Sequence, residues 1–390
     1  MTIGSAHGWG VCGKHLALEL ATLGPLRIVG ESFDLATVGD ALEFHALDAL
    51  VLRRGQSALG TTRQSPLVLD GALLQGIGDE RLLPRDMAVR GSKTIGYTFF
   101  ERNLLQPAWV ENGRRYFGSV VAGSSWCASV LWEAGLVDAK VAIQGVDHTA
   151  FHPPGSAGGE RQFLQDKFVV FSGGKFEYRK GQDVVIRAYK TLQDRHADVL
   201  LVNAWWNPWP AIFDSMRSSP LIRFAPPRGR PQDVISGTLA ENGIDLERVI
   251  TCPRQLNSAM ARIYRNTDVG LFPNRCEGGT NLVLMEYMAC AKLVIATNTT
   301  GHAEIVTHAN AQVIATKGEA EVKDESGVLV ARWPEPDLDD VIDKLEWAYQ
   351  HRDKLRALGQ RACETLARFT WRKTAETFLG IIHEVAGAPE

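Results

Sequence analysis

"NRCEGGTNLVLMEYMACAKLVIA" occupies residues 274–296. An apolar strand, "VGLFP" at residues 269–273, precedes it, and residues 293–297 read as the next strand. Between them the chain turns at Gly278 and Gly279 and enters an apolar helix. Strand, glycine turn, buried helix and strand form the repeating unit of a parallel α/β sheet. Two carboxylates interrupt the apolar run. Glu277 opens the turn, and Glu286 has apolar residues on both sides. A helix that is apolar all round is buried, and a buried carboxylate is costly unless donors reach it. Either a buried arginine pairs with Glu286 and the glycines merely turn the chain, or both acids serve a ligand.

The residues between the acids favour a ligand. Thr280 is a suitable N-cap, so the helix is expected to begin near it. Gly278, Gly279, Thr280, Asn281 and Leu282 then present backbone N–H groups at a helix N-terminus, where anions bind. A ligand with phosphates in the middle and hydroxyls at both ends would satisfy the whole stretch. A nucleotide sugar has that form: sugar hydroxyls on Glu277, diphosphate on the helix start, ribose hydroxyls on Glu286.

The rest of the chain repeats the α/β alternation. Strands are expected at residues 26–29, 93–100, 120–122, 140–143, 167–172, 199–203 and 248–251, with helices at 14–23 and after Gly181. "HPPGSAGGERQ", residues 152–162, is the best linker, and it implies two α/β domains with a ligand cleft between them. A last amphipathic helix follows Thr370. The 390 residues are 45% hydrophobic and 22% charged with a net charge of −3, which gives no reason to expect a nucleic-acid partner. The six cysteines are scattered without metal or disulfide spacing, which suggests a reducing, cytoplasmic setting. No stretch reads as a signal peptide or a membrane span.

"EGGTNLVLME" resembles the signature of family-four, GT-B-fold retaining glycosyltransferases, in which two glutamates flank a glycine-containing turn. Eight residues separate the acids here, one more than the family's usual spacing. "FSGGKFEYRKGQDVVIRAY", residues 171–189, is similar to the family's basic strand–turn–helix element, with Lys175 in the arginine position and Lys180 in the lysine position. Cations there would neutralise a departing diphosphate, whereas Arg179 reads as a solvated turn residue. "VVAGSSWCASVLWEAGLVDAKVAIQGVDHTAFHPP", residues 120–154, resembles the end of the family's first domain, and "FTWRKTAETFL" its last helix.

The resemblance implies a GT-B architecture, with two Rossmann-like α/β domains facing a central cleft and a C-terminal helix crossing back to the first. The corresponding boundaries are 1–155, 156–366 and 367–390. It further implies retaining transfer of a hexose-type sugar from a UDP- or GDP-linked donor to a glycan, lipid-linked or other hydroxyl acceptor, without metal or cofactor. Polysaccharide assembly and a peripheral contact with the inner face of the membrane are family-level expectations.

Weaker signals remain. "GWGVCG", residues 8–13, satisfies G-x-G-x-x-G, and Glu31 stands where a ribose-binding acid would. It reads either as the dinucleotide loop of an NAD-dependent oxidoreductase or, preferably, as the family's glycine-rich loop approaching the donor through Gly10. Its leading strand is at most residues 2–6, and His7 beside it reads as a loop residue. Glu101 is either a group that contacts acceptor or donor sugar, or a surface residue at a strand end. Arg254 falls where family members hold the base. The tryptophans of "AWWNPWP", residues 204–210, are assigned to core or loop packing. Asp337 and Asp339 mimic a metal motif but suit a helix cap. A non-catalytic nucleotide-sugar-binding relative is a further alternative.

Overall fold

The fold is known from a computed structural model, which describes residues 1–30, 32–52, 66–154, 163–207, 209–224 and 229–387. The chain divides into two compact units. One comprises residues 1–145, 322–332 and 369 onward; the other comprises 146–321 and 333–368.

The first unit contains α1 (Gly8–Leu23), α2 (Leu35–Val38), α3 (Ala41–Asp48), β1 (Leu67–Gly76), β2 (Val89–Thr98), α4 (Pro107–Tyr116), β3 (Ser119–Ala122), α5 (Ser125–Glu133) and β4 (Lys140–Val141). Its strands form one parallel sheet in the order β1-β2-β3-β4. Val120 and Ala122 of β3 share a buried cluster with Cys127, Ala128 and Leu131 of α5. The helix starts where Ser124 accepts a hydrogen bond from the Cys127 N–H, a serine N-cap.

The second unit contains β5 (Phe168–Lys175), α6 (Gln182–Arg195), β6 (Val199–Trp206), α7 (Pro231–Glu241), β7 (Val249–Thr251), α8 (Met260–Arg265), β8 (Val269–Phe272), α9 (Leu282–Ala289), β9 (Leu293–Thr297) and β10 (Gln312–Ile314). A hairpin of β11 (Thr316–Lys323) and β12 (Leu329–Pro336) follows, its residues 322–332 counted with the first unit, then α10 (Leu338–Gln350) and α11 (Leu355–Leu366). The final helix, α12 (Trp371–Ala386), belongs to the first unit, where it packs along α1.

The second sheet runs β10-β9-β8-β5-β6-β7, with every pair parallel. β5 is central. The chain winds outward from it through β6 and β7, then crosses back to β8 and continues the other way. Buried parallel strands need apolar residues on both faces, which is why "FVVF" of β5 and "LVIA" of β9 are fully buried. This doubly wound order has its switch point between β5 and β8, and ligands bind such sheets beyond the strand C-termini at that point.

Several sequence expectations are corrected. Residues 8–13 are not a loop: they are the first turns of α1. His7 is the N-cap, its Nδ1 accepting from the Gly10 N–H at 3.1 Å. A Cβ on Gly10 would lie 3.1 Å from the Gly4 carbonyl oxygen, and one on Gly13 would lie 2.0 Å from that of Thr2. The glycines therefore let residues 2–4 lie against the helix, and no dinucleotide loop exists there. Glu31 lies outside the described residues.

Residues 2–6 form no strand, because the Gly4 N–H bonds to Gly10 O and the Ser5 N–H to Thr37 O. Residues 26–29 contribute only the isolated bridge Ile28–Val51. Within the expected linker, residues 155–162 are not described. Asp337 is the N-cap of α10, accepting from the Asp339 N–H. No helix among the described residues is long and apolar enough to cross a membrane.

Candidate functional site

The switch point is built from the turns that leave β5 and β8. After β5 the chain makes a tight turn, Tyr178–Lys180, and enters α6 through Gly181. Gly181 has φ +72°, and a Cβ there would sit 2.0 Å from the Pro273 carbonyl oxygen. Glycine thus allows the β5 turn to close directly on the chain leaving β8. Backbone and side-chain bonds join the two: Arg275 N–H to Arg179 O at 2.9 Å and Arg179 Nη1 to Cys276 O at 2.6 Å. Beneath them lies the fully buried Arg275 guanidinium. It pairs with Asp183 at 2.8 Å and Glu335 at 2.6 Å, and it stacks 3.8 Å from the Tyr178 ring centroid.

This closure brings Glu277 against two cations. Its Oε1 lies 2.6 Å from Lys180 Nζ and its Oε2 lies 3.0 Å from Arg179 Nη1. Asn274 Nδ2 also donates to Oε1. Arg179 reaches Glu177 as well, at 2.5 Å. All four charged side chains are at most 10% exposed. Burial pushes the Glu277 carboxyl up, but the Lys180 and Arg179 charges outweigh it and hold it at about 2. Burial lowers Lys180 from its ordinary value, and its pairing with Glu277 opposes that. Arg179 is therefore an inward-facing member of the cluster, not a solvated turn residue.

The segment after β9 braces the glycine turn. Thr300 Oγ1 accepts from the Glu277 N–H, and the Gly301 N–H donates to Glu277 O, both at 2.9 Å. A Cβ on Gly301 would fall 1.7 Å from the Gly279 carbonyl oxygen. Thr300 has φ +53°, a strained setting for a β-branched residue and one that tends to occur at functional sites. Helix α9 starts at Leu282 rather than near Thr280, because Asn281 precedes it at φ +62°. Thr280 is buried, its hydroxyl pointing at Met285 Sδ. No side chain caps α9.

Glu286 lies within α9 and is held by neutral donors rather than by an arginine. Asn257 Nδ2 reaches Oε1 at 2.6 Å, and the Tyr264 hydroxyl reaches Oε2 at 3.0 Å. Burial pushes its carboxyl up to about 8, against these two hydrogen bonds. Asn257 lies on the segment after β7 that also carries Arg254, whose guanidinium is 4.9 Å from the Trp206 ring centroid. Lys175, at the end of β5, places its ammonium 4.7 Å over Trp209. Trp205 is core, as expected, and Trp209 is exposed.

The second unit thus gathers Lys175, Lys180, Arg254, Gly278, Gly279, Thr280, Asn281, Leu282, Glu277 and Glu286 at the C-terminal edge of one sheet. Gly10 and Glu101 belong to the first unit, Glu101 half-buried just after β2. No group of three or more His, Cys, Asp or Glu suited to a metal occurs among the described residues.

Residues 227–331 match the family model described as Glycosyl transferases group 1. The chain is similar, over that stretch, to a group 1 glycosyltransferase domain. It is 27% identical over 265 residues to D-inositol 3-phosphate glycosyltransferase of Saccharomonospora viridis, a match covering 66% of this chain and 53% of that protein. The chain thus spans about half the length of that curated relative.

Among solved structures, a glycosyltransferase from Rickettsia africae aligns at TM-score 0.63 and 14% identity, over 99% of this chain and 97% of that one. Anabaena HepE in complex with UDP-glucose aligns at TM-score 0.55 and 16% identity, over 75% and 72%. These likenesses show the fold, the two Rossmann-like halves of GT-B.

The sequence missed Arg179, Asn274, Thr300 and His302 around Glu277 and the α9 start, and Asn257 and Tyr264 on Glu286. "TNTTGH", residues 297–302, was the available signal. It is a small, polar, glycine-containing segment directly after a buried strand.

Proposed function

We propose that this protein is a retaining glycosyltransferase that moves a hexose-type sugar from a nucleoside diphosphate sugar to a hydroxyl acceptor. The observation that carries the proposal is the buried Lys180–Glu277–Arg179 cluster lying against the uncapped start of α9 at the sheet's switch point. In the resting cluster, two cations share one sugar-facing acid. The donor diphosphate takes hydrogen bonds from the first N–H groups of α9, a preorganised anion site. Lys180 then turns part of its charge from Glu277 to the phosphate, and Glu277 accepts hydroxyls of the transferred sugar.

As the bond between the sugar and the phosphate breaks, negative charge grows on the leaving oxygen. Lys180 and the helix start stabilise that charge more than they stabilise the bound donor, which is what accelerates transfer. Lys175 supplies a second cation from its perch on Trp209. Glu286 accepts the ribose hydroxyls, and Arg254 with the segment after β7 flanks the base. The departing phosphate oxygen takes the acceptor proton, so no side-chain base is required, and no metal enters the scheme. UDP and GDP are the expected carriers, and glycans or lipid-linked hydroxyls are the expected acceptors, as in polysaccharide assembly near a membrane surface.

The first experiment screens UDP-, GDP- and ADP-sugars for thermal stabilisation, which follows from linkage between binding and folding. The second measures transfer by Lys180→Ala and Glu277→Ala variants that remain folded. Loss of turnover by a factor of about 100 or more is expected, the scale of removing one charge-stabilising group. Full turnover in both variants would refute the roles given to these residues.

A further inference from the structure

Asn281 behaves unlike an ordinary helix cap. Asparagine at an N-cap usually accepts a hydrogen bond from the second or third N–H of its helix. Here the Asn281 side chain makes no such bond. Its Nδ2 instead lies 3.2 Å from Nε2 of His302, a fully buried residue in the segment after β9.

The partners of His302 fix its tautomer. Nδ1 lies 3.0 Å from the Thr297 carbonyl oxygen, and a carbonyl can only accept, so Nδ1 carries the proton. The Thr297 hydroxyl is committed as donor to Asn274 O at 2.7 Å and cannot supply a proton to Nδ1. Nε2 is left as a bare acceptor, and it takes the Asn281 amide N–H. Burial keeps the ring neutral, pushing it down to about 4.

The first intrahelical bond of α9 runs from the Met285 N–H to Asn281 O at 3.0 Å. By helix geometry, the N–H groups of Leu282, Val283 and Leu284 must find partners outside the helix. These are the groups a diphosphate would use. An unrestrained Asn281 side chain would compete for them.

We propose that His302 is a positioning residue that holds the Asn281 side chain away from the α9 start, keeping the helix N–H groups open for the diphosphate of the donor. The inference rests on the donor site proposed above. It adds a reason for a buried imidazole whose side-chain hydrogen bonds, among the described residues, run to Thr297 and Asn281.

The test uses the full chain and titrates UDP and GDP against uridine and guanosine by calorimetry. The wild-type protein is expected to bind at least one diphosphate more tightly than its nucleoside. His302→Leu removes the acceptor and should weaken the diphosphate about fivefold, the equivalent of the ~1 kcal/mol that a competing cap is worth. Nucleoside affinity should not change. Adding Asn281→Gly to His302→Leu should restore diphosphate binding, since glycine has no side chain to cap with and accepts a positive φ.

His302→Gln, whose amide can both donate to Thr297 O and accept from Asn281, should bind as wild type. This conservative variant carries the test if His302→Leu fails to fold. Unchanged binding in His302→Leu, a defect that persists in the double variant, or weakened binding in His302→Gln each overturns the proposal. A wild-type protein that binds no nucleoside diphosphate refutes the donor site itself. Diphosphate binding that is equal in the wild type and in every variant refutes only the role of His302.

Discussion

Glu286 gives the sharpest test because its electrostatics are unusual for a glutamate. It is buried with Asn257 and Tyr264 as neutral donors, and burial pushes its carboxyl up to about 8 from an ordinary 4.5. A raised acid binds its proton more tightly folded than unfolded. Its contribution to stability is therefore fully present below pH 4.5 and is lost as pH rises through 8. Linkage over that span gives about 2–3 kcal/mol lost between about pH 5.5 and 7.5.

Glu286→Gln mimics the protonated form and does not titrate. Other groups, His302 among them, shift the stability of both proteins alike, so the difference between wild type and variant isolates this one carboxyl. The assay is urea unfolding of the two proteins at both pH values. The variant's advantage over the wild type should grow by about 2–3 kcal/mol between them. A gap that stays constant with pH would refute the assignment of a protonated, buried Glu286. The ribose contact proposed for Glu286 would depend on the same charge state. Ribose hydroxyls donate hydrogen bonds and favour the ionised carboxylate, so nucleoside affinity should rise with pH toward 8 in the wild type and stay level in Glu286→Gln.

Glu277 should behave in the opposite way. Lys180 and Arg179 hold it at about 2, so its stabilisation is present above the unfolded value near 4.5 and is lost as pH falls toward 2. Glu277→Gln leaves two buried cations short of a partner and should cost about 3–5 kcal/mol at neutral pH, a gap to the wild type that narrows in acid; equal stability at pH 7 would contradict the cluster. Gly301→Ala places a methyl 1.7 Å from the Gly279 carbonyl oxygen, so the glycine turn must move. Diphosphate affinity should fall at least about tenfold, as expected when a preorganised anion site loses its geometry; calorimetry showing wild-type affinity would exclude the bracing role of the segment after β9.

What could be foreseen from the sequence depended on whether the controlling contacts are local. The turn–helix at 277–286 was legible because glycines and an apolar run mark it within ten positions, although the expected cap, Thr280, does not cap it, and the buried strands β5, β8 and β9 announce themselves by composition. The direction of Arg179 was not, since adjacent basic residues on an irregular turn carry no periodicity. Only Gly181 closing on Pro273 turns both Arg179 and Lys180 inward. β1 escaped notice because it is a sheet edge whose pairing is displaced between Leu69 and Ala72, around Asp70 and Gly71.

The error at residues 8–13 has the same origin. Glycine spacing marks close backbone approach without saying what approaches. In the first unit the approaching partner is the chain's own residues 2–4; at the switch point, the α9 N–H groups are capped by no side chain. A glycine pattern becomes functional when the group that would satisfy the adjacent helix start is withheld. At α9 that group is the Asn281 side chain, and what withholds it is a histidine that comes from the next strand's loop and so lies beyond the reach of any local pattern.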